Sequence, residues 1–340
     1  MTSRDRYFIL SVDGGGCRGV IPAMLLQSLG DDLLARVDML AGTSTGAILA
    51  GGLAAGVGID AIANVYRSQE ANRTIFTPSA GARIPLVGKF LFPRYSADGV
   101  RKVVGQFAEV HRPLSSLTRT CVLPAFIIDH EGVGGPQWLA TAFHNLGPSA
   151  GLGGFGEVST LEAILASAAA PVFFPPHKIG PQLFVDGGVM ATNPALVALA
   201  AATHAGIIGR RGVPLDRVSM LSLGTGQTMS GYPPEPADAF LPPFGMLGWM
   251  WPEARGKDTP PMPVMGATSD GVAQLNDYQV RSILGDDDYR RAQIDFGATS
   301  FPMDAYQRIE GPDGLMARTE RYMATDEWKE IKAWVRARLT

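Results

Sequence analysis

Cysteine is nearly absent: Cys17 and Cys121 are the only two in 340 residues, too few for a disulfide framework and consistent with a reducing compartment such as the cytoplasm. Charge of one sign is absent as well. With 29 Lys and Arg against 32 Asp and Glu the net charge is −3, and no basic block appears, which excludes a nucleic-acid footprint. Long hydrophobic runs are missing. The longest weakly polar stretch, Pro194 to Gly209, contains His204 and falls short of the roughly 20 residues that span a bilayer. Phe8 to Val12 is shorter than the apolar region of a signal peptide. Any membrane contact is therefore expected to be peripheral. What remains is plentiful: 46% hydrophobic residues, 18% charged residues and 41 glycines, the composition of a chain with a substantial core.

Tyr7 to Val12 is a compact apolar run closed by Asp13-Gly14-Gly15-Gly16, and it reads as a buried strand. Val20 to Arg36 has helical periodicity, with Pro22 tolerated in the first turn. Val37 to Ala41 is a second strand, followed by Gly42-Thr43-Ser44-Thr45-Gly46 and a small-residue helix from Ala47 to Gly56. This βαβ pattern predicts parallel strands, a right-handed crossover, and two glycine-rich loops leaving the same carboxyl edge of a sheet, where ligands bind. Further strands are expected at Thr120 to Asp129, Leu183 to Val185 and Arg217 to Leu223. Further helices are expected at Leu161 to Ala170 and from Asn193-Pro194 to about Gly206. The Pro-dense stretch 230–266, with Phe244, Trp249 and Trp251, suits either a linker or a lid.

Three motifs carry chemistry. Gly42-Thr43-Ser44-Thr45-Gly46 fits the nucleophile elbow G-x-S-x-G between strand and helix, which would project the Ser44 hydroxyl above the sheet. By itself the spacing is met equally well by a serine in a glycine turn. Asp13 to Gly19, reading DGGGCRG, offers consecutive backbone amides and a helix N-terminus, an anion cradle suited to an oxyanion. Arg18 could brace that loop or neutralise charge. Gly14, Gly16 and Gly19 also satisfy the dinucleotide fingerprint G-x-G-x-x-G. That reading wants an acid at the end of the second strand, whereas Asp38 lies at its start and the elbow occupies its end. Asp186-Gly187-Gly188 follows a short strand and could place a carboxylate near the serine as its base; alone it reads as a hairpin turn. None of His111, His130, His144, His177 and His204 sits in a glycine-flanked loop at a strand end.

Taken together, DGGGCRG, GTSTG and DGG, in that order, resemble the patatin-like phospholipase family. Supporting stretches are SAAAPVFFPP (167–176), VDGGVMATNPA (185–195) and LSLGTG (221–226), with weaker likeness at IFTP, FPRYS and Gln274 to Phe296. The resemblance implies a three-layer α/β/α fold related to α/β-hydrolases around a mostly parallel sheet, in one domain with its core over about 7–296 and a helical region over 297–340. It implies Ser44 as nucleophile and Asp186 as proton acceptor, a dyad without histidine. Gly14, Gly15, Gly16 and Cys17 or Arg18 would be oxyanion donors, and Gly19, Gly42, Gly46, Gly187 and Gly188 would shape the motifs. It implies hydrolysis of acyl esters of phospholipids, lysophospholipids or related lipids, met at a membrane surface, with no metal or cofactor. A storage or binding protein that keeps the scaffold without turnover is the alternative. Ala191-Thr192-Asn193 departs from the asparagine pair that family members often carry.

Overall fold

The computed structural model describes residues 6–85, 88–132, 135–147, 153, 155–204, 212–228, 246–250, 263–297 and 299–340. Its strands are β1 (Tyr7–Val12), β2 (Met39–Gly42), β3 (Thr120–Gly132), β4 (Gly135–His144), β5 (His177–Ile179), β6 (Gln182–Asp186), β7 (Val218–Leu223) and β8 (Tyr289–Ala292). They form one sheet in the order β5-β6-β3-β2-β1-β7-β8, with β4 paired to β3. The run β3-β2-β1-β7-β8 is parallel, whereas β4, β6 and β5 are attached antiparallel on one side.

Alternation along the central strands separates two cores. Phe8, Leu10 and Val12 of β1 join one cluster with Leu40, Leu221 and the helices Val20–Leu29, Thr45–Ala55 and Thr160–Ser167. Ile9, Met39, Val122 and Met220 face the other way, against the Ala-rich helix Ala195–Thr203 and Val280 of the helix Pro263–Asp288. The sheet thus lies between two helical layers.

Several boundaries move. The first helix ends at Leu29 rather than Arg36, because Gly30 turns the chain at φ 88 and a separate turn, Asp31–Leu34, follows. The Ala-rich helix stops at Thr203, so His204 is its extended C-cap rather than an interior residue. Of the stretch 230–266, the short helix Met246–Met250 and the first turn of Pro263–Asp288 are described; Phe244 and Trp251 lie outside the described residues, and with them the question of a lid.

The C-terminal segment ends in two helices, Leu315–Met323 and Asp326–Leu339. Trp328 is 1% exposed, its indole N–H donates to Ser28 Oγ at 3.1 Å in the first helix, and Ile331, Val335 and Leu339 join the same core as β1. This packing places the last helix in the same core as β1. Trp328→Ala is accordingly expected to destabilise the whole chain by about 3–5 kcal/mol. In urea unfolding followed by far-UV circular dichroism, one transition should move to lower denaturant. A separate early transition confined to the terminal helices would show that they are an appended unit.

Candidate active site

Three strand ends lie side by side, because register pairs Val12 of β1 with Gly42 of β2 and with Leu223 of β7. Their loops, Asp13–Gly16, Thr43–Ser44 and Gly224–Gly226, therefore leave one rim together. Asp186 reaches that rim by a different route. β3 overshoots the parallel edge, and β6 returns antiparallel along the overhang, pairing Phe184 with Ile127 and Asp186 with Ala125. An antiparallel strand would ordinarily end at the far edge of the sheet. Pairing only with the overhang stops it near the serine.

Ser44 sits at φ 57, ψ −120, one of two non-glycine residues with positive φ among those described, a conformation costing about 1–3 kcal/mol. Gly42 and Gly46 are pressed together so closely that a Cβ on either would overlap neighbouring backbone, which is why the turn admits glycine alone there. The elbow is held by Thr43 Oγ1, which donates to Ala191 O at 2.7 Å, and by the Ser44 N–H, which donates to Ser167 Oγ at 3.2 Å. Ser167 Oγ in turn donates to Pro124 O at 2.6 Å, and its own carbonyl accepts the Gly187 N–H. One serine thereby ties the elbow to the strand pair that carries Asp186. The helix Thr45–Ala55 begins directly behind Ser44, so its dipole favours negative charge at that point.

Asp186 is 4% exposed. Its Oδ1 accepts the Gly188 N–H at 2.6 Å, while Oδ2 has no partner at ordinary hydrogen-bond distance. Burial raises the carboxyl to about 6, opposed by the Ser44 side chain and the Gly188 amide. Ser44 thus lies close enough to stabilise the carboxylate, through a contact looser than a standard bond; such pairs often tighten only around substrate. Gly187 has φ −61 and leads into the turn Gly188–Ala191, so Asp-Gly here is not a type I′ hairpin.

The glycine loop crosses in front of Ser44; a Cβ on Gly14 would stand 3.3 Å from Ser44 Cβ. Not every amide of the loop is open. Gly14 N–H donates to Thr192 O at 2.9 Å, Cys17 N–H to Met303 O at 2.8 Å and Arg18 N–H to Gly15 O at 3.2 Å. Those three expected donors are therefore already committed within the fold. Gly15 and Gly16 keep amides without an acceptor among the described residues, as does Thr45 at the helix start, a donor that motif reasoning overlooked. The Arg18 guanidinium donates to Gly15 O and Gly226 O, both at 3.3 Å, and so braces the loop. Cys17 is buried, which pushes its thiol up to about 12.

Two further residues carry roles the three catalytic motifs did not assign, although Thr225 lies in the supporting stretch LSLGTG. Thr225 Oγ1 donates to Gly14 O at 2.7 Å. Because a trans peptide points its C=O and N–H in opposite directions, this bond aims the Gly15 N–H away from Thr225. Arg291 of β8 forms a bidentate pair with Asp13 at 2.6 and 3.3 Å and also donates to Ser222 Oγ at 2.7 Å. Its only signal in the sequence was position within the weakly similar stretch Gln274 to Phe296.

Beside Ser44 opens a cleft of about 560 Å³, including the open solvent at its mouth, walled by Ile48, Ile75, Phe76, Phe173, Phe174 and Met303. Its polar lining is mostly spent internally: the Thr45 and Tyr66 hydroxyls bond at 2.7 Å, and Asn72 Nδ2 donates to Tyr66 O and Ser68 O. The cleft offers a ligand hydrocarbon contact, with Ser44 at one end. No histidine lines it; His111, His130 and His177 bond to Gly105 O, Gln182 and Glu162. Asp38 accepts the Phe8 N–H at 2.8 Å at the opposite, amino edge of the sheet, far from any ribose position. No group of three His, Cys, Asp or Glu side chains able to hold a metal occurs among the described residues.

Comparison with known proteins places the chain in a family. The profile of the patatin-like phospholipase family matches residues 10–199. A cGAMP-activated phospholipase of Escherichia coli is 29% identical over 210 residues, 58% of this chain and 56% of that protein. Patatin-like protein 1 of Arabidopsis thaliana is 27% identical over 323 residues, 84% of this chain and 74% of the other. Patatin-12 of Solanum tuberosum is 26% identical over 280 residues, 71% and 66% respectively. The chain spans little more than half the length of the cGAMP-activated phospholipases it matches, 56% in Escherichia coli and 57% in Pseudomonas aeruginosa. With more than half of its length under the family profile, through the glycine loop, the elbow and the aspartate turn, the chain belongs to the patatin-like phospholipase family.

Proposed function

We propose that this protein is a lipid acyl hydrolase that cleaves fatty-acyl esters of phospholipids or lysophospholipids through an acyl-enzyme on Ser44. The observation that carries the reading is the pairing of a buried carboxylate, its Oδ2 unpartnered, with a strained serine at the mouth of an apolar cleft. Asp186 Oδ2 takes the Ser44 Oγ proton as Oγ attacks the ester carbonyl carbon. The carbonyl oxygen gains negative charge and is received by the Gly15 and Gly16 amides, with the helix N-terminus at Thr45 adding positive potential. Collapse of the tetrahedral adduct breaks the ester C–O bond, and Asp186 returns its proton to the departing alcohol. Water then attacks the acyl-serine with Asp186 again as base, releasing the fatty acid. A carboxyl near 6 suits both roles, since it is mostly ionised at pH 7 yet basic enough to accept a proton. The apolar cleft favours a hydrocarbon chain, so the substrate is met at a lipid surface; no described helix is long and apolar enough to cross a membrane.

A panel of lipids assayed by mass spectrometry tests the reading directly. Ser44→Ala and Asp186→Asn should each lower turnover by about 10³-fold or more while leaving circular dichroism unchanged. Full activity in either variant excludes the dyad. A fluorophosphonate probe should label Ser44 and nothing else.

The pH profile has a defined sign. Because Asp186 must be ionised to accept a proton, kcat/KM should fall about tenfold per pH unit below about 6 and be flat above it. A plateau that persists unchanged to pH 4 would show another group to be the base. Thr225→Val should lower kcat by about 10-fold or more with little change in KM, because it frees the peptide that aims Gly15 N–H. An effect confined to KM would point to a binding role instead.

A further inference from the structure

A second hollow lies directly behind the cleft at Ser44. It offers about 340 Å³ including the open solvent at its mouth and is walled by Ala97, Leu165, Ala169 and Pro175. The two hollows share three wall residues: Val100, Ala168 and Phe174. Val100 belongs to the helix Ala97–Val104 and Ala168 to the end of Thr160–Ser167, so both are set by packed helices. Phe174 stands on the turn between Pro171 and Pro175 and is half-buried, with its ring meeting Tyr95 at 5.9 Å and Phe76 at 6.4 Å.

That turn is unusual. Val172 has φ 72, a conformation that costs a β-branched residue more than most, and among the described residues it is the second positive-φ non-glycine residue beside Ser44. It is held there from outside, since Arg94 N–H donates to Val172 O and Tyr95 N–H to Phe173 O. The surrounding strap is anchored in turn by Tyr95 Oη, which donates to Asp304 Oδ2 at 2.7 Å. Held in this turn and packed against the edge of the core, the Phe174 ring forms part of the wall common to both hollows. Beyond that wall the hollow opens beside Arg101 and His177, and both are bonded to Glu162, at 2.6 and 2.8 Å. That mouth holds no unpaired charge for a head group. It suits the methyl end of a chain.

We propose that the two hollows are one acyl channel divided by Phe174, whose ring limits the length of fatty-acyl chain the site accepts. The inference rests on the acyl-hydrolase reading and adds to it the residue that determines chain-length specificity. In the closed position the chain is confined to the cleft at Ser44. Rotation of the ring, or its removal, joins that cleft to the second hollow and lets a longer chain thread toward Arg101 and His177.

Binding of free fatty acids tests the channel without requiring turnover. Saturated acids of about 8 to about 18 carbons would be titrated into the 340-residue Ser44→Ala protein by displacement of cis-parinaric acid fluorescence. Affinity should rise about fourfold per methylene and then level off once the first cleft is filled. Adding Phe174→Ala should move the plateau to longer acids by about two or more methylenes, each again about fourfold. Phe174→Leu, the milder change, should move it in the same direction. Ala97→Trp, which fills the second hollow from the helix surface, should cancel that shift in the double variant and leave the parent profile alone. Unchanged plateaus in folded Phe174→Ala and Phe174→Leu proteins would overturn the channel, as would a shift that Ala97→Trp fails to cancel. Wild-type ester hydrolysis, measured separately, isolates the other reading: the shifted binding profile without turnover supports the channel and removes the hydrolase.

Discussion

The buried ion pair between Asp13 and Arg291 is the constraint on which the rim depends. The two side chains are 4% and 9% exposed, and the bond joins the first residue of the glycine loop to a strand two places away in the sheet. Burial pushes the Asp13 carboxyl up, with Arg291 opposing that rise. Burial alone would lower Arg291, yet the adjacent Asp13 charge and bond hold it above its ordinary value. Such a pair contributes little net stability compared with apolar packing, but losing one partner strands the other charge at a cost of about 3–5 kcal/mol. Its value here is positional. It fixes where the loop leaves β1, and Thr225 and Arg18 then set the orientation of the peptides that follow.

Satisfied and unsatisfied groups are distributed unevenly around this rim. The backbone of Gly14, Cys17 and Arg18, the Thr43 hydroxyl and the Ser44 amide are all bonded within the fold. What is left without a partner among the described residues lies in the loops of this one rim: the Gly15, Gly16 and Thr45 amides and Asp186 Oδ2, beside the strained Ser44 turn. Open donors and strain persist in a folded chain only where the surroundings over-determine them. Ser167 illustrates how: through its hydroxyl and its carbonyl it couples the elbow, the Pro124 segment of β3 and the Asp186 turn.

Legibility in the sequence followed the range of the interaction. Loops whose geometry is written by glycine could be located directly: the elbow at 42–46 and the cradle at 13–19 are local, and steric exclusion of a Cβ limits their alternatives, whereas the Asp186 turn, read alone as a hairpin, proved to lead into a helical turn instead. The parallel β1–β2 pair was equally legible, since a short βαβ crossover admits one handedness. Arg291, Thr225 and Ser167 could not be read, because each acts through a bond spanning more than 100 residues and each is an ordinary residue type in its own neighbourhood. The Gly14 and Cys17 amides could not be distinguished from those of Gly15 and Gly16 for the same reason: their acceptors, Thr192 O and Met303 O, lie elsewhere in the chain.

The direction of β6 marks the boundary most plainly. A short apolar run and a terminal Asp-Gly identify a short strand without saying which way it runs, because a strand of this length has the same composition in either sense. Residue identity by itself determined the chemical parts, the family likeness and the layered α/β character, since these depend on local sterics and hydrophobic period. Tertiary structure alone decided that β3 overhangs the sheet, that β6 descends along the overhang, and that Asp186 stops beside Ser44. It also decided which amides remain open and how the apolar walls close around the cleft. Those outcomes depend on non-local pairing, and no short stretch of chain encodes a partner it meets only after folding.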